Sequence, residues 1–276
     1  MRFGLHLFPG SAGTTLGERR RCDDSLVAPG ASGYEGFFGD DVASSYDAGA
    51  VEMFDPAVVD PVLHVLARLA GTGRALELAI GTGRIALPLA ARGVPVAGID
   101  DSEAMVARLR AKPGGEEIEV AIGDFATTRV PGEFAVVYLV FNTIFNLVTQ
   151  DDQVACFENA AGHLVPGGCF VIETGVPELQ SLPVGQTIVP FRAEPDGISF
   201  DVYDVVTQRF SSQHYVFEDG RVEAFPVEFR YAWPAELDLM ARIAGLRLRD
   251  RWAGWRREPF TSLSRSHVSV YEKPDR

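Results

Sequence analysis

Between residues 74 and 173 the chain repeats one pattern: a short apolar run, a turn, and a helix-length amphipathic segment. The runs are 74–80 (RALELAI), 94–99 (VPVAGI), 118–122 (IEVAI), 134–141 (FAVVYLVF) and 169–173 (CFVIE), and most are separated by the segments 84–92, 102–112 and 151–164. Antiparallel neighbours need only a tight turn, whereas parallel neighbours need a crossover of a dozen or more residues, which a helix supplies. The spacing therefore predicts an α/β fold, a Rossmann-like, doubly wound and mostly parallel sheet. Two later runs, 246–252 and 267–273, bring the expected strands to seven.

Other segments fall outside this repeat. Residues 1–33 are rich in Gly, Ser and Thr, carry ERRR at 18–21 and lack apolar periodicity, so a disordered tail is expected. Ordered chain is expected from Tyr34, with an N-terminal helical cap at 55–70 (DPAVVDPVLHVLARLA) burying Val58, Val62, Val65, Leu66 and Leu69. Residues 185–232 change period: ISFDVYDVVTQRF, HYVF and VEAFPVEFRYAW alternate or run β-rich, and Asp196-Gly197 and Asp219-Gly220 signal hairpins. A small antiparallel sheet inserted at 185–232 follows, leaving 34–184 and 233–276 as the core. Helical periodicity returns at 234–244, from Pro234 to a stop at Gly245, with Leu237, Met240 and Ile243 or Ala244 inward.

Charge narrows the partners. A net charge of −13 and a pI near 4.8 repel nucleic acid and anionic membranes. Cys22, Cys156 and Cys169 have neither disulfide-framework nor zinc spacing, which suits a reducing cytoplasm and a site without metal. No apolar run approaches the ~20 residues of a membrane helix. HExxH, GxxxxGK[ST] and GxSxG are all absent.

GTGR occurs twice, at 71–74 and 81–84, on either side of the first apolar run. In an open parallel sheet ligands lie outside the carboxyl ends of the strands, so the copy that follows the run is the one placed to bind. Gly81-Thr82-Gly83-Arg84-Ile85-Ala86, with Asp100 nineteen residues past Gly81, suits a nicotinamide dinucleotide. Glu77 argues against that choice, because a carboxylate inside the first strand has no packing purpose and would repel a pyrophosphate. With Asp124 just past the third run, it suits a cationic ligand carrying an amino group and an adenine.

The ordered set LELAIGTGR, GID at 98–100, GDF at 123–125 and LVPGG at 164–168 resembles class I S-adenosylmethionine-dependent methyltransferases over roughly residues 40–175. Ala79 stands where the family often has its first glycine. The resemblance implies that Glu77, Ala79 and the Gly81-Thr82-Gly83 backbone line the cofactor's amino-acid end. It further implies that Asp100 accepts from the ribose hydroxyls, with Asp101 its replacement if that acid lies one residue on, and that Asp124 and Phe125 read the adenine. Tyr46 sits where relatives place a tyrosine near the cofactor. The LVPGG turn is expected to end a helix and open the fifth strand, and His163 to meet the helix dipole.

A methyl acceptor must meet the cofactor at the carboxyl ends of the fourth and fifth strands, which singles out Asn142, Asn146, Glu173 and Thr174 as catalytic candidates. The insertion and VFNTIFNLVTQDDQ are similar to enzymes that tailor amino sugars and other natural-product scaffolds. Several of these carry a histidine where this chain has Asn146, which is no general base. His214, Tyr215, Glu228, Arg230, Tyr231, Trp252 and Trp255 are further pocket candidates, and the insertion with residues 34–50 is expected to form the substrate lid. The expected function is methyl transfer to an amine or hydroxyl of a small molecule, by a protein that binds neither nucleic acid nor membrane and whose oligomer, if any, is a homodimer. Two alternatives remain at this point, an NAD(P)-dependent oxidoreductase and a non-catalytic cofactor-binding regulatory protein.

Overall fold

The computed structural model describes residue 47, residues 51–218 and residues 220–275, apart from the side chains of residues 51, 180 and 181. The expected tail, Tyr46, the remainder of residues 34–50, and Asp219 lie outside these residues. The main sheet has seven strands: β1 Ala75–Leu78, β2 Val96–Asp100, β3 Glu119–Ile122, β4 Phe134–Leu139, β5 Leu164–Gly175, β10 Arg247–Trp252 and β11 Ser266–Glu272. Their order is β10-β11-β5-β4-β1-β2-β3, and only β11 runs against its neighbours.

Helices cover both faces. α1 (Pro56–Ala70), α2 (Ala86–Ala91) and α3 (Glu103–Arg110) bring Leu63, Leu66, Leu89 and Leu109 onto Val136 and Val171. On the other face, α4 (Gln150–His163) and α5 (Pro234–Ile243) bring Phe157, Ala160, Leu237 and Met240 onto Leu76, Val137 and Ile172. With both faces covered, every position of β1 is buried, and so its sequence reads as an apolar run rather than an alternation. The Phe157 ring meets Phe170 and Tyr271 edge-on at 5.1 and 5.6 Å; emptying such a site costs about 3–5 kcal/mol.

Local chemistry sets the helix ends. Asp55 caps α1 by accepting from the Ala57 nitrogen at 2.8 Å, Pro56 opens it, and Gly71 stops it with φ +56°. The buried stripe is Val59, Val62, Leu63, Val65, Leu66 and Ala70, with Leu69 packed partly buried beside it; of the expected face only Val58 is corrected, since it lies exposed at the edge of the stripe while Val59 takes the inward place. In α5 Ala241 goes inward beside Leu237 and Met240; of the two alternatives expected with them, Ala244 packs partly buried against the same core and Ile243 is exposed. LVPGG follows the helix end and opens the fifth strand, as expected. β5 begins directly after α4, the β4 partner jumps from Leu164 to Cys169, and the slack at Pro166–Gly168 is taken up by main-chain bonds to Lys273.

The insertion forms its own antiparallel sheet, β6 Ile188–Glu194, β7 Gly197–Asp204, β8 Arg209–Glu218 and β9 Arg221–Arg230, paired in that order. A hairpin at 205–208 divides what the sequence presents as one β-rich run. Asp204 builds it by accepting from the Val206 nitrogen and the Thr207 hydroxyl at 2.9 and 2.6 Å, leaving Val205 and Val206 in solvent. The sheet is anchored at the end of β9, where the buried Arg230 donates to Gln153 of α4 and pairs with Glu236 of α5 at 2.7 Å. Among the described residues no helix is long and apolar enough to cross a membrane.

Candidate active site

Strand order reverses between β1 and β4, so the loops that leave these strands diverge and open a crevice at their carboxyl ends. The loop after β1 is held open by left-handed backbone at Ala79 (φ +54°), Gly81 (+56°) and Gly83 (+82°). A Cβ on Gly81 would meet no atom within 4 Å, whereas one on Gly83 would collide with Leu87 and Leu109 at 2.9–3.1 Å. Gly81 thus faces free space and Gly83 faces the core. The other GTGR lies at the amino end of β1, where Gly71 closes α1 and Arg74 pairs with Glu119 at 3.2 Å.

Two buried carboxyls face this loop. Asp100 ends β2 and accepts from the Gly81 nitrogen at 2.7 Å and the Ser102 nitrogen at 2.9 Å. Burial pushes its pKa up to about 6, against the pull of those two donors. Glu77 lies in the middle of β1, beside Gly98 and Tyr138 of the flanking strands, and accepts from the Tyr138 hydroxyl at 3.0 Å. Burial raises it to about 8, opposed by that bond and by Arg84. A ligand offering hydroxyl donors and a cation fits these groups: Asp100 has lone pairs to spare, and among the described residues Glu77 has no counter-ion in contact.

Asp124 sits just beyond β3. Its carboxylate accepts from the Ala126 nitrogen at 2.8 Å, and the Gly123 nitrogen donates to the Asp100 carbonyl, so this loop lies against the end of β2. Asn159 of α4 clamps the loop by donating to the carbonyls of Phe125 and Thr128 at 2.8 and 2.9 Å. Glu77, Ala79, Gly81, Thr82, Asp100, Asp124 and Phe125 therefore share the carboxyl edge of three adjacent strands, and Asp101 lies exposed one residue past β2. Sequence reasoning missed Asp47 and Lys112. The Thr82 hydroxyl donates to Asp47 at 2.6 Å, and Lys112 pairs with Asp47 at 2.6 Å while donating to the Thr82 carbonyl at 2.8 Å. Asp47 follows Tyr46 directly, which was the available signal.

On the acceptor side, Phe141 and Asn142 are consecutive left-handed residues, both with φ +61°. Glu173 accepts from the Phe141 nitrogen at 3.0 Å, and Asn142 accepts from the Gly175 nitrogen at 2.6 Å, so both side chains stitch the ends of β4 and β5 together. Asn146 closes the 3-10 turn Thr143–Asn146 half-buried, with its amide unengaged by any described residue. Thr174 is fully buried opposite His267, and its hydroxyl lacks a partner among the described residues. Of the insertion's candidates, His214 and Tyr231 share a buried face, while Tyr215 lies on the other face against Phe200 and Glu228 pairs with Arg209 at the surface. Trp252 and Trp255 pack against the apolar layer beneath α1.

His163 departs from expectation. It is buried, accepts from the Val130 nitrogen through Nε2 at 3.0 Å, and its Nδ1 lies 2.8 Å from the Asn159 carbonyl. An accepting Nε2 leaves the proton on Nδ1, and burial lowers the pKa, so a neutral ring bridges two chain segments instead of placing a cation on the helix dipole.

Residues 75–168 match the methyltransferase-domain family model. The cypemycin N-terminal methyltransferase of a Streptomyces species is 29% identical over 240 residues, 83% of this chain and 98% of that protein. The CcbJ methyltransferase from Streptomyces caelestis superposes with a TM-score of 0.73 and 38% identity, covering 86% of this chain and 97% of its own. DesVI of Streptomyces venezuelae shares the fold with a TM-score of 0.60 at 21% identity, over 82% and 97% of the two chains. Neither the oxidoreductase nor the regulatory alternative gains support from these relatives. A homologue of 38% identity matched along nearly its whole length, joined to a carboxyl edge that fits a cationic nucleoside, establishes that this chain belongs to the S-adenosylmethionine-dependent methyltransferases.

Proposed function

We propose that the protein transfers a methyl group to an amine nitrogen of a small natural-product intermediate, in the cytoplasm. In this reading residues 34–184 and 233–276 form the cofactor-binding core and residues 185–232 the substrate lid. Glu77 and the Gly81–Gly83 backbone hold the cofactor's amino-acid end, Asp100 takes the ribose, and Asp124 with Phe125 takes the adenine. When bound, the cofactor supplies a methyl group activated on a sulfonium. The chain must orient the acceptor, exclude water and leave the attacking lone pair free.

The observation that carries nitrogen over oxygen is the engagement of Glu173 and Asn142 in main-chain hydrogen bonds. Asn146 is no base, so the described carboxyl edge of β4 and β5 offers no free group strong enough to take a proton from an alcohol. An amine needs less help, because an alkylammonium already loses its proton near pH 10. The cypemycin N-terminal methyltransferase, by its name a nitrogen methylator, supports the same choice. Incubation with methyl-labelled cofactor and paired amines and alcohols of matching carbon skeleton tests it. N-methyl products are expected; label found only on oxygen overturns the reading.

A further inference from the structure

The register of the inserted sheet sorts its buried face into three rows across β7, β8 and β9. These are Tyr203–Phe210–Phe229, then Asp201–Ser212–Val227, then Ser199–His214–Phe225. Successive rows are two residues apart along each strand, about 7 Å. In the first row the rings stack at 5.1 and 4.9 Å, and Phe210 meets Phe145 edge-on at 6.2 Å. Phe145 belongs to the turn that leaves β4 at the crevice, next to Asn146. Tyr203 also feels the charge of Glu178, in the segment that leaves β5. This face of the insertion therefore looks down on the carboxyl edge where the acceptor must lie.

A carboxylate in the second row of an aromatic wall has no packing purpose. Asp201 is half-buried and receives only neutral donors, the hydroxyls of Ser212 and of Tyr203, the latter at 3.4 Å. Among the described residues no lysine, arginine or histidine pairs with it. Such a group lacks a positive counterpart, and burial accordingly raises its pKa to about 6. Rings beside an uncompensated carboxylate make an environment that favours an organic ammonium over a neutral or anionic group.

The neighbours of Asp201 are oriented to donate toward it. An ionised carboxylate can only accept, so Ser212 donates to Asp201. His214 is neutral, its pKa lowered by burial and by the charge of Arg192. Its Nε2 lies 3.2 Å from the Ser212 oxygen and its Nδ1 lies 3.2 Å from the Ser199 oxygen. With the Ser212 proton committed to Asp201, Nε2–H donates to Ser212, and Nδ1 accepts from the Ser199 hydroxyl. Phe191 packs edge-on to the imidazole at 5.6 Å and holds the ring in place.

We propose that Asp201 is the group that receives the acceptor's ammonium, and that Ser212, His214 and Ser199 are positioning residues that hold its carboxylate toward the cleft. The proposal rests on the amine reading given under Proposed function and names the group that selects the amine. In the transfer itself the nitrogen lone pair forms the N–CH3 bond as the C–S pair returns to sulfur. The proton that the nitrogen must shed has Asp201 as its nearest assigned acceptor.

The experiment uses the full-length protein saturated with S-adenosylhomocysteine and two probes of equal size, benzylamine and benzyl alcohol, whose binding is followed by ligand-detected NMR near neutral pH. The wild type should bind the amine about tenfold more tightly than the alcohol, a difference of about 1.4 kcal/mol. Asp201→Asn should remove that preference without weakening alcohol binding or S-adenosylhomocysteine affinity and without lowering the unfolding temperature. Ser212→Ala should reduce the preference about threefold without weakening the alcohol, which a purely structural role would not do. If Asp201→Asn does not hold S-adenosylhomocysteine, Asp201→Glu, which keeps the charge, must keep the preference and Asp201→Ser must lose it. A wild type without preference, or an Asp201→Asn protein that keeps it, overturns the proposal. If amines are methylated while Asp201→Asn keeps its preference, only this assignment fails; label confined to oxygen defeats the amine reading itself.

Discussion

The Asp100 carboxylate closes on the Gly81 nitrogen at 2.7 Å, so the last residue of β2 fixes the glycine loop that leaves β1. One oxygen of the pair holds Gly81 and the other holds Ser102, and both keep lone pairs that can accept from ligand hydroxyls. Asp100→Ala removes the loop's tether and the charged acceptor together. We expect S-adenosylhomocysteine to bind about 1.5–3 kcal/mol more weakly, measured by titration calorimetry. Unchanged affinity would move the ribose role to another acid, Asp101 being next in line.

With the cofactor role proposed for it, Glu77 should make cofactor binding depend on pH. Its ordinary pKa of 4.5 rises to about 8 in the fold, so the native state holds a proton that the unfolded chain gives up. Its contribution to folding is therefore undiminished below pH 4.5, falls as pH rises toward about 8, and is level beyond. A ligand ammonium requires the ionised form. Affinity for S-adenosylhomocysteine should rise with pH up to about 8 with release of a proton, counted by calorimetry in buffers of different ionisation enthalpy. Glu77→Gln should flatten that slope, and a slope unaltered by the substitution would assign the titration elsewhere.

The two acids and the glycine loop were legible because each departs from a packing rule: a carboxylate inside an apolar run, and glycines between a strand and a helix. The seven strands were legible because β1, β2 and β4 are covered on both faces and read as unbroken apolar runs. What failed to show were features made by contact between distant segments. Asn142 and Glu173 look like catalytic groups in the sequence, yet each is drawn into the other strand's backbone across more than thirty residues. The hairpin at 205–208 hid behind two valines, because Asp204 supplies its turn chemistry. Asp201 passed as one polar position in an alternating strand until the register with β8 set it among the rings.

The glycines of the loop should separate folding from binding. Gly83→Val adds left-handed strain to a collision with Leu87 and Leu109. Together these should cost about 2–5 kcal/mol and lower the unfolding temperature by about 4–20 °C. Gly81→Val projects into open space, so its stability cost should be confined to backbone strain while S-adenosylhomocysteine binding is blocked. Ala79→Gly relieves an alanine at φ +54° and should raise the unfolding temperature. Calorimetric scans paired with titrations read all three; equal behaviour of the Gly81 and Gly83 variants would contradict the geometry.

Arg230 is the pin between insertion and core. Its guanidinium is buried with Gln153 and Glu236, and Glu236 also accepts from Gln150 and Gln208 at 2.8 and 2.6 Å. Arg230→Ala empties a buried guanidinium site and takes the cation from the half-buried Glu236 carboxylate, and should cost about 3–5 kcal/mol. The exposed Arg209–Glu228 pair, 3.7 Å apart, is the control, and Arg209→Ala should stay within about 0.5 kcal/mol. Chemical denaturation of the two variants measures both. Equal effects would mean that the anchor is not where the structure places it.

The lid assignment has the most direct test. β6 and β9 are the two edges of the inserted sheet, so the chain enters and leaves it at the same end, three strand spacings apart. That is about 14 Å, which five or six extended residues can span. Replacing residues 188–229 by such a linker keeps Arg230 with its core partners and removes the aromatic row, Asp201 and the hydroxyl chain together. The core retains β1 to β5, the glycine loop and both buried acids, so it should fold and bind S-adenosylhomocysteine. Methyl transfer to the amine acceptor should fall to the solution level, since the proposed cover and the group proposed to receive the amine are then removed. Should the shortened protein still methylate the same acceptor, the pocket is built without the insertion, which is then not its lid.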